Sequence, residues 1–190
     1  MITRFVNEMF SFERSSSDPL KNLSVGKRVQ IIKWLDSFNV KNYTINDDFT
    51  IDVKGDVELD HKSLTCFPSF IKFNKVSGYF DCATNQLTSL EGCPTIVDGN
   101  FLCYNNQLTN LQGCPTTVCG SFYCHNNQLI SLEGCPTIVN GDFYCYNNQL
   151  TSLEGCPATI GGSFSCHSNN KQFSEEYVKS LCKVKRNIDV

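Results

Sequence analysis

The feature that most constrains the fold of this chain is a 21-residue repeat that begins at residue 80. Each copy fits the pattern F-x-C-x-x-N-x-L-x-x-L-x-x-C-P-x-x-V/I-x-G-x. Repeats of about 20 to 50 residues are typical of solenoids, in which each copy forms one coil and only stacked coils bury a core. Four complete copies and a truncated fifth begin, in order, at Phe80, Phe101, Phe122, Phe143 and Phe164.

The stretch V-x-G-x-F-x-C alternates apolar with other residues, which predicts a strand with one face inward. We expect Phe101 and Cys103 to point into the core, and Leu102 and Tyr104 to point outward. Each coil then supplies one strand to a parallel sheet, with neighbouring coils about 4.8 Å apart. The two leucines of each copy fill the core. Gly-Cys-Pro turns the chain, and the segment is too short for a regular α-helix.

One asparagine recurs in every copy at the point where the chain leaves the strand. Its amide can bond backbone groups that the bend leaves unpaired, so stacked copies would form an asparagine ladder. A degenerate earlier copy begins at Val57, and there Lys62 takes the place of the asparagine. The members of the ladder are Asn85, Asn106, Asn127, Asn148 and Asn169.

The segments NNQLTSLEGCP and V-x-G-x-F-x-C resemble short leucine-rich repeats of about 20 residues, of the kind encoded by tailed phages and some bacteria. The resemblance covers residues 51–170. It implies a leucine-rich-repeat-like solenoid with a parallel β-sheet on its concave face, little or no convex helix, and a binding role. If the chain is a phage protein, its partner would be a host protein and its location the host cytoplasm.

The residues before the repeats carry a helical pattern. Apolar residues at helical spacing between Ile2 and Phe10, and again between Val29 and Phe38, predict two helices. Trp34 is expected to pack on the first coil. We interpret residues 1–50 as a helical N-terminal cap, because a stack of coils needs a cover at each end.

The residues after the repeats predict one more helix. Ser174 is a good N-cap, and two glutamates follow it in the first turn. Val178, Leu181 and Cys182 would line the buried face. The chain is thus divided into the N-terminal cap, a solenoid over 51–170 and a C-terminal capping helix over 171–190.

The chain has 12 cysteines, nine of which occupy two fixed positions of the repeat. Zinc sites usually contain C-x₂₋₄-C pairs, and none occurs here. Stacked thiols in parallel register do not easily reach the torsion of about 90° that a disulfide needs. We therefore expect free, buried thiols that act as small apolar side chains, and neither a metal nor a cofactor. A disulfide-bonded, thiol-active or metal-binding protein remains the alternative.

Several classes of function are excluded by what the sequence lacks. No nucleotide-binding or hydrolase motif occurs, and a stack places equal groups along a line instead of in a cleft, so we predict no catalytic residue and no enzyme. Lys and Arg are absent between Val76 and Asn170, which argues against nucleic acid as partner. No apolar run approaches about 18 residues, and no signal-peptide core is present, which predicts no membrane contact and a cytoplasmic location.

The outward strand positions carry aromatic rings that the fold does not require. Exposed tyrosine is typical of interfaces, so we expect a strip of rings, bordered by amides, that binds a protein partner. Two alternatives remain open. The rings could stack only to stabilise the sheet, or the strip could pair two copies in a homodimer. The predicted partner-binding residues are Leu102, Tyr104, Tyr123, His125, Tyr144, Tyr146 and His167.

Overall fold

The computed structural model describes residues 19–190, and their side chains from residue 24 onward. The chain forms a parallel β-solenoid in which strands of the repeat copies pair with an offset of 21 residues. Each coil contributes two short strands separated by a corner, and the strands form two sheets. The helix predicted between residues 2 and 10 lies outside the described residues.

Sheet A has eight strands, all parallel except the first, which pairs antiparallel with the second. In chain order the strands are β1 (Tyr43–Ile45), β2 (Ile51–Val53), β4 (Phe73–Val76), β6 (Ile96–Val97), β8 (Thr117–Val118), β10 (Ile138–Val139), β12 (Thr159–Ile160) and β14 (Lys183–Val184).

Sheet B has seven strands, all of them parallel. From β2 onward the strands of the two sheets alternate along the chain, so every coil crosses both sheets. In chain order the strands are β3 (Val57–Glu58), β5 (Phe80–Asp81), β7 (Phe101–Leu102), β9 (Phe122–Tyr123), β11 (Phe143–Tyr144), β13 (Phe164–Ser165) and β15 (Ile188–Asp189).

The presence of two sheets corrects the prediction of one strand per coil. The V-x-G-x-F-x-C stretch bends at its glycine, so the valine lies in sheet A and the phenylalanine in sheet B. The corner glycines of successive coils stack closely. The Gly120 N–H donates to the Gly99 carbonyl at 2.9 Å, and a Cβ on Gly120 would lie 2.7 Å from that carbonyl carbon. Only glycine permits this approach, and the corner therefore depends on it.

The core lies between the two sheets and continues through the whole stack. The phenylalanine of each copy is fully buried, and the Phe101 and Phe122 ring centroids are 5.2 Å apart. This confirms the predicted inward face. The leucines that follow the strands are buried too, as predicted. They are Leu87, Leu90, Leu108, Leu111, Leu129, Leu132, Leu150 and Leu153.

The helix before the solenoid is α1 (Pro19–Ser37). Ile31 and Leu35 are fully buried in the same hydrophobic cluster as the coils, and Ile32 is only half-buried. The Trp34 ring lies 6.1 Å from that of Phe67, which confirms that Trp34 packs on the first coil. Strand β1 then forms the outer edge of sheet A, so the N-terminal end of the stack is built from a strand as well as a helix.

The helix after the repeats is α2 (Glu175–Leu181). As predicted, Ser174 is its N-cap, and its hydroxyl accepts from the Tyr177 N–H at 3.2 Å. The interpretation of residues 171–190 as a capping helix is not confirmed, because β14 and β15 follow α2 and extend both sheets. Leu181, predicted on the buried face, is 37% exposed. In residues 19–190, neither helix has the length and apolar character needed to cross a membrane.

Candidate functional site

The seven predicted site residues lie side by side on the outer face of sheet B. Strands β7, β9 and β11 pair in parallel with Leu102 opposite Tyr123 and Tyr123 opposite Tyr144, which forms a first column. Two residues further along each coil, on the same face, a second column contains Tyr104, His125, Tyr146 and His167. All seven residues are half-buried, and none belongs to the core. We call these seven residues the aromatic strip.

The rings of the second column form a continuous stack. The centroids of Tyr104 and His125 are 4.7 Å apart, those of His125 and Tyr146 are 4.4 Å apart, and those of Tyr146 and His167 are 4.7 Å apart. The three interplanar angles are 5°, 16° and 10°. These separations are close to the strand spacing of about 4.8 Å, so the sheet itself sets the stack.

The tyrosines of the first column are also in contact. Tyr123 and Tyr144 have centroids 5.1 Å apart and planes inclined by 42°. Tyr123 meets His125 of the second column edge to face, at 6.3 Å. The two columns therefore form one layer of rings, in which stacking fixes each ring by its neighbours. The rings therefore do stack along the sheet, which was the alternative to partner binding. Each of these residues nevertheless stays half-exposed.

His125 lies in the middle of the ring stack, between Tyr104 and Tyr146. Its Nδ1 is buried and has no hydrogen-bond partner among the described residues. Burial between Tyr104 and Tyr146 lowers the pKa of His125, because a charged imidazolium loses its hydration there. His167, at the end of the stack, has its Nε2 3.6 Å from Asp189 Oδ2.

Carboxylates lie at both ends of the first column. Parallel pairing places Glu58 opposite Asp81, and Asp81 opposite Leu102, ahead of the rings. Beyond the rings, Ser165 lies opposite Asp189, and its hydroxyl donates to that carboxylate at 3.0 Å. These contacts were not predicted, since Glu58 lies in the degenerate copy and Asp189 outside the repeats. The in-register match of Val57 with Phe80 is the signal that could have located Glu58.

The carboxylates influence the nearest ring of the strip. Burial raises the pKa of Tyr104, and the negative charges of Asp81 and Asp60 raise it further. The Asp81 carboxylate accepts from the Ala83 N–H at 2.9 Å, and its own pKa is raised, chiefly by burial. Because no Lys or Arg occurs between Val76 and Asn170, the strip lies in a surface of negative charge.

The predicted asparagine ladder is confirmed and holds the strands of sheet B in place. Asn127 is typical of it. The Asn127 side-chain amide donates to the carbonyls of Cys103 and Cys124 at 3.0 and 3.1 Å, and its carbonyl accepts from the Leu108 N–H at 3.0 Å. One buried side chain thus satisfies the backbone of two neighbouring coils.

A second, exposed amide ladder borders the strip. The Asn126 amide donates to Asn105 at 2.7 Å, and Asn147 donates to Asn126 at 2.6 Å. All three residues have φ between 53° and 57°, in the left-handed region that asparagine tolerates well. In the neighbouring coils the same backbone position is occupied by Thr84 and Ser168.

The cysteines are free thiols, and most are buried. The inward cysteines of the five copies are at most 1% exposed, which confirms that they act as small core side chains. Cys66 and Cys119 are exposed. Within residues 19–190, no group of three or more His, Cys, Asp or Glu side chains is placed to hold a metal ion.

No protein-family model matches this sequence, and no curated protein and no solved structure matches it either. The fold and the site geometry are therefore the basis for any functional conclusion.

Proposed function

We propose that this chain is a non-enzymatic protein-binding module and that the aromatic strip is its contact surface. The observation that carries this proposal is the continuous layer of seven half-exposed side chains across four successive coils. Large exposed patches of this kind usually mark contact sites. Stacking already fixes these rings, so a partner would restrict little further side-chain motion on binding.

Charge indicates which partner suits the strip. Glu58, Asp60 and Asp81 lie before the rings and Asp189 lies after them, and the stretch between Val76 and Asn170 contains no Lys or Arg. A partner surface with Lys or Arg around an apolar centre would complement this pattern. A second copy of the chain suits it less well, since two strips facing each other would bring their carboxylates together.

The biological source of the chain and the host location of its partner are implied only by its resemblance to a known type of repeat. The 21-residue period resembles short leucine-rich repeats of tailed phages and bacteria, and on that basis the partner would be a host protein in the host cytoplasm. The negative surface and the aromatic strip do not depend on this origin. The binding proposal can therefore be tested whatever the source of the chain.

The proposal is tested by placing positive charge in the strip. The double variant Tyr123→Lys and Tyr144→Lys should abolish capture of a cationic partner from a host lysate, while the thermal melt stays near that of the wild type. Ile130→Lys is the matched control, because Ile130 is 62% exposed and lies outside the strip. Capture that persists unchanged in the double variant would overturn the proposal.

A different measurement distinguishes a homodimer from binding to another protein. Light scattering across a dilution series should give the monomer mass at every concentration if the partner is another protein. A mass that doubles with concentration, and that the two lysine substitutions return to the monomer value, would make a second copy the occupant of the strip instead.

A further inference from the structure

Strand β3 forms a free edge of sheet B at the N-terminal end of the stack. In the described part of the chain it pairs only with β5. The N–H groups of Val57, Leu59 and His61 donate to the next coil at 2.9, 2.7 and 3.3 Å. Successive residues of a strand direct their backbone groups to opposite sides, so Glu58 and Asp60 direct theirs to the free edge. Such a row of unpaired groups is a template for a further strand.

A groove of about 200 Å³ lies beside this edge. One side of it is formed by β3 and its neighbours, and the other by the segment 38–41 that follows α1. Val40 belongs to the core cluster and Phe38 packs against it, so this second side is apolar and fixed in place. The groove therefore offers an extended chain both backbone groups to pair with and an apolar surface to cover.

Carboxylates occupy alternate positions along the β3 side of the groove. Asp56, Glu58 and Asp60 line it, and the intervening Val57 and Leu59 are fully buried. The carboxylates therefore belong to the outer face of the sheet, at positions about 6.6 Å apart along the strand. A strand in which cationic and apolar side chains alternate has the same spacing, so its cations would lie opposite these carboxylates.

Two lysines also line the groove, Lys41 and Lys62, and no ion pair joins them to the three carboxylates. Lys62 lies beyond His61, whose φ of 55° ends the extended stretch. With three carboxylates and two ammonium groups, the groove keeps a net negative charge. An added strand that carries cations would balance it.

The carboxylates also keep acceptor capacity for a partner. The Tyr79 hydroxyl donates to Glu58 Oε1 at 2.5 Å, and His61 Nδ1 lies 2.9 Å from Asp60 Oδ2. Each contact engages one oxygen and leaves the second oxygen of that carboxylate without a partner among the described residues. A lysine or arginine side chain can therefore bind either carboxylate without displacing these contacts.

A second copy of this chain suits the edge poorly. The opposite end of sheet B is β15, in which Asp189 lies opposite Ser165 in the register of the stack. If β15 of one copy continued the stack at β3 of another, Asp189 would lie opposite Glu58, which already faces Asp81. Like charges directly opposite one another destabilise a strand pair. The charge pattern thus favours a different protein.

We propose that the free edge of β3 binds an extended segment of another protein, in which lysine or arginine alternates with apolar residues, as an additional strand of sheet B. The backbone groups of Glu58 and Asp60 provide the pairing, and the apolar side chains pack on Phe38 and Val40. The stretch from Asp56 to Asp60 is about 13 Å long, which accommodates about five partner residues. This contact does not rest on the aromatic strip, so each surface is tested separately.

The test adds a blocked, fluorescently labelled seven-residue peptide of alternating lysine and valine to the full-length chain at physiological salt. We expect saturable binding by fluorescence anisotropy, and slower hydrogen exchange at the Glu58 and Asp60 amides in the bound state. The fully N-methylated peptide has the same charges and no N–H donors, and it should bind roughly tenfold more weakly or less. Equal binding of the two peptides would show attraction by charge alone and would overturn the proposal.

Charge reversal within the chain makes the result specific to the groove. Glu58→Lys combined with Asp60→Lys should weaken peptide binding by roughly tenfold or more. Glu91→Lys combined with Glu133→Lys is the matched control, because it changes the net charge equally at two exposed turn positions outside the groove. Equal losses in the two double variants would contradict the assignment of the peptide to this edge.

Two further measurements complete the test. Tyr123→Lys combined with Tyr144→Lys should leave peptide binding within about twofold of the wild type, which distinguishes the edge from the aromatic strip. Should the groove variant fail to fold, the hydrogen exchange of the wild-type chain decides alone. Protection of Glu58 and Asp60 that appears without peptide and is lost on dilution would assign the edge to a second copy and overturn the proposal.

Discussion

The rings of Tyr104 and His125 lie face to face, with centroids 4.7 Å apart and planes inclined by only 5°. The two residues are 21 positions apart in the chain and belong to adjacent coils. Their contact exists because the coil period and the strand spacing bring equivalent positions together. The same relationship continues to Tyr146 and His167, and it turns isolated surface residues into one rigid layer.

The stack around His125 predicts a pH dependence of stability. The folded chain lowers the pKa of His125 below its ordinary value of 6.5, because the ring is buried between Tyr104 and Tyr146. As the pH falls below about 6.5, the unfolded chain therefore binds a proton before the folded chain does. The contribution of neutral, buried His125 to the free energy of unfolding is therefore fully present above that pH and decreases below it. His125→Tyr should reduce the slope of stability against pH between pH 7 and 5.

The pH prediction is checked by urea unfolding of both proteins at matched pH values. The Tyr substitution keeps a ring in the column and removes the titration, so the difference between the two curves isolates His125. If the free energy of unfolding changed equally with pH in the wild type and the variant, His125 would not be the source of the pH dependence.

Asn127→Ala should destabilise the chain by about 3 kcal/mol, because it leaves buried backbone groups of Cys103, Cys124 and Leu108 without partners. Gln128→Ala is the control, since Gln128 is the exposed neighbour and its loss should cost less than about 0.5 kcal/mol. Chemical denaturation measures both. Equal costs for the two variants would show that the ladder is not a source of stability.

Gly120→Ala should destabilise the chain by about 2 kcal/mol or more, because the added Cβ would lie 2.4 Å from Asn100 Oδ1 and 2.7 Å from the Gly99 carbonyl carbon. Gly26→Ala is the matched control. It lies in α1 with nothing within 4 Å of its Cβ position, and alanine there should stabilise the helix by roughly 1 kcal/mol. Thermal unfolding distinguishes the two, and the opposite order of stabilities would refute the corner geometry.

Thr84→Asn should stabilise the chain by about 1 kcal/mol, because Thr84 has φ of 52° and a β-branched residue is strained there. An asparagine would also extend the exposed ladder of Asn105, Asn126 and Asn147 by one coil. Thr88→Asn, at an exposed position without positive φ, should give no gain. A melting temperature that does not rise in Thr84→Asn would speak against the strain.

Much of the fold could be predicted because each core, turn and surface position recurs in every copy of the repeat. The inward position of Phe101 and Cys103, the buried leucines and the asparagine ladder all followed from spacing alone. The outward position of Tyr104 and its column also followed from alternation. Whether the strip binds a partner remains a prediction, because the structure gives its geometry and not its occupant.

The sequence pattern missed the second sheet and the ends of the stack. Strands of two residues, such as β6 and β7, have almost no periodicity of their own, so nothing local marks the corner between them. Strands β14 and β15 carry no repeat pattern at all, and they exist because the preceding coil offers unpaired backbone groups. Their pairing brings Asp189 to the strip.

The sequence by itself determined the period, the residues that face the core and the residues that face outward, since these depend on alternation within a few neighbouring positions. Only the tertiary structure decided where the chain bends, which strands complete the two sheets and which carboxylates border the strip. The physical reason is that these contacts join residues about one coil apart, and their geometry is set by how closely the coils stack.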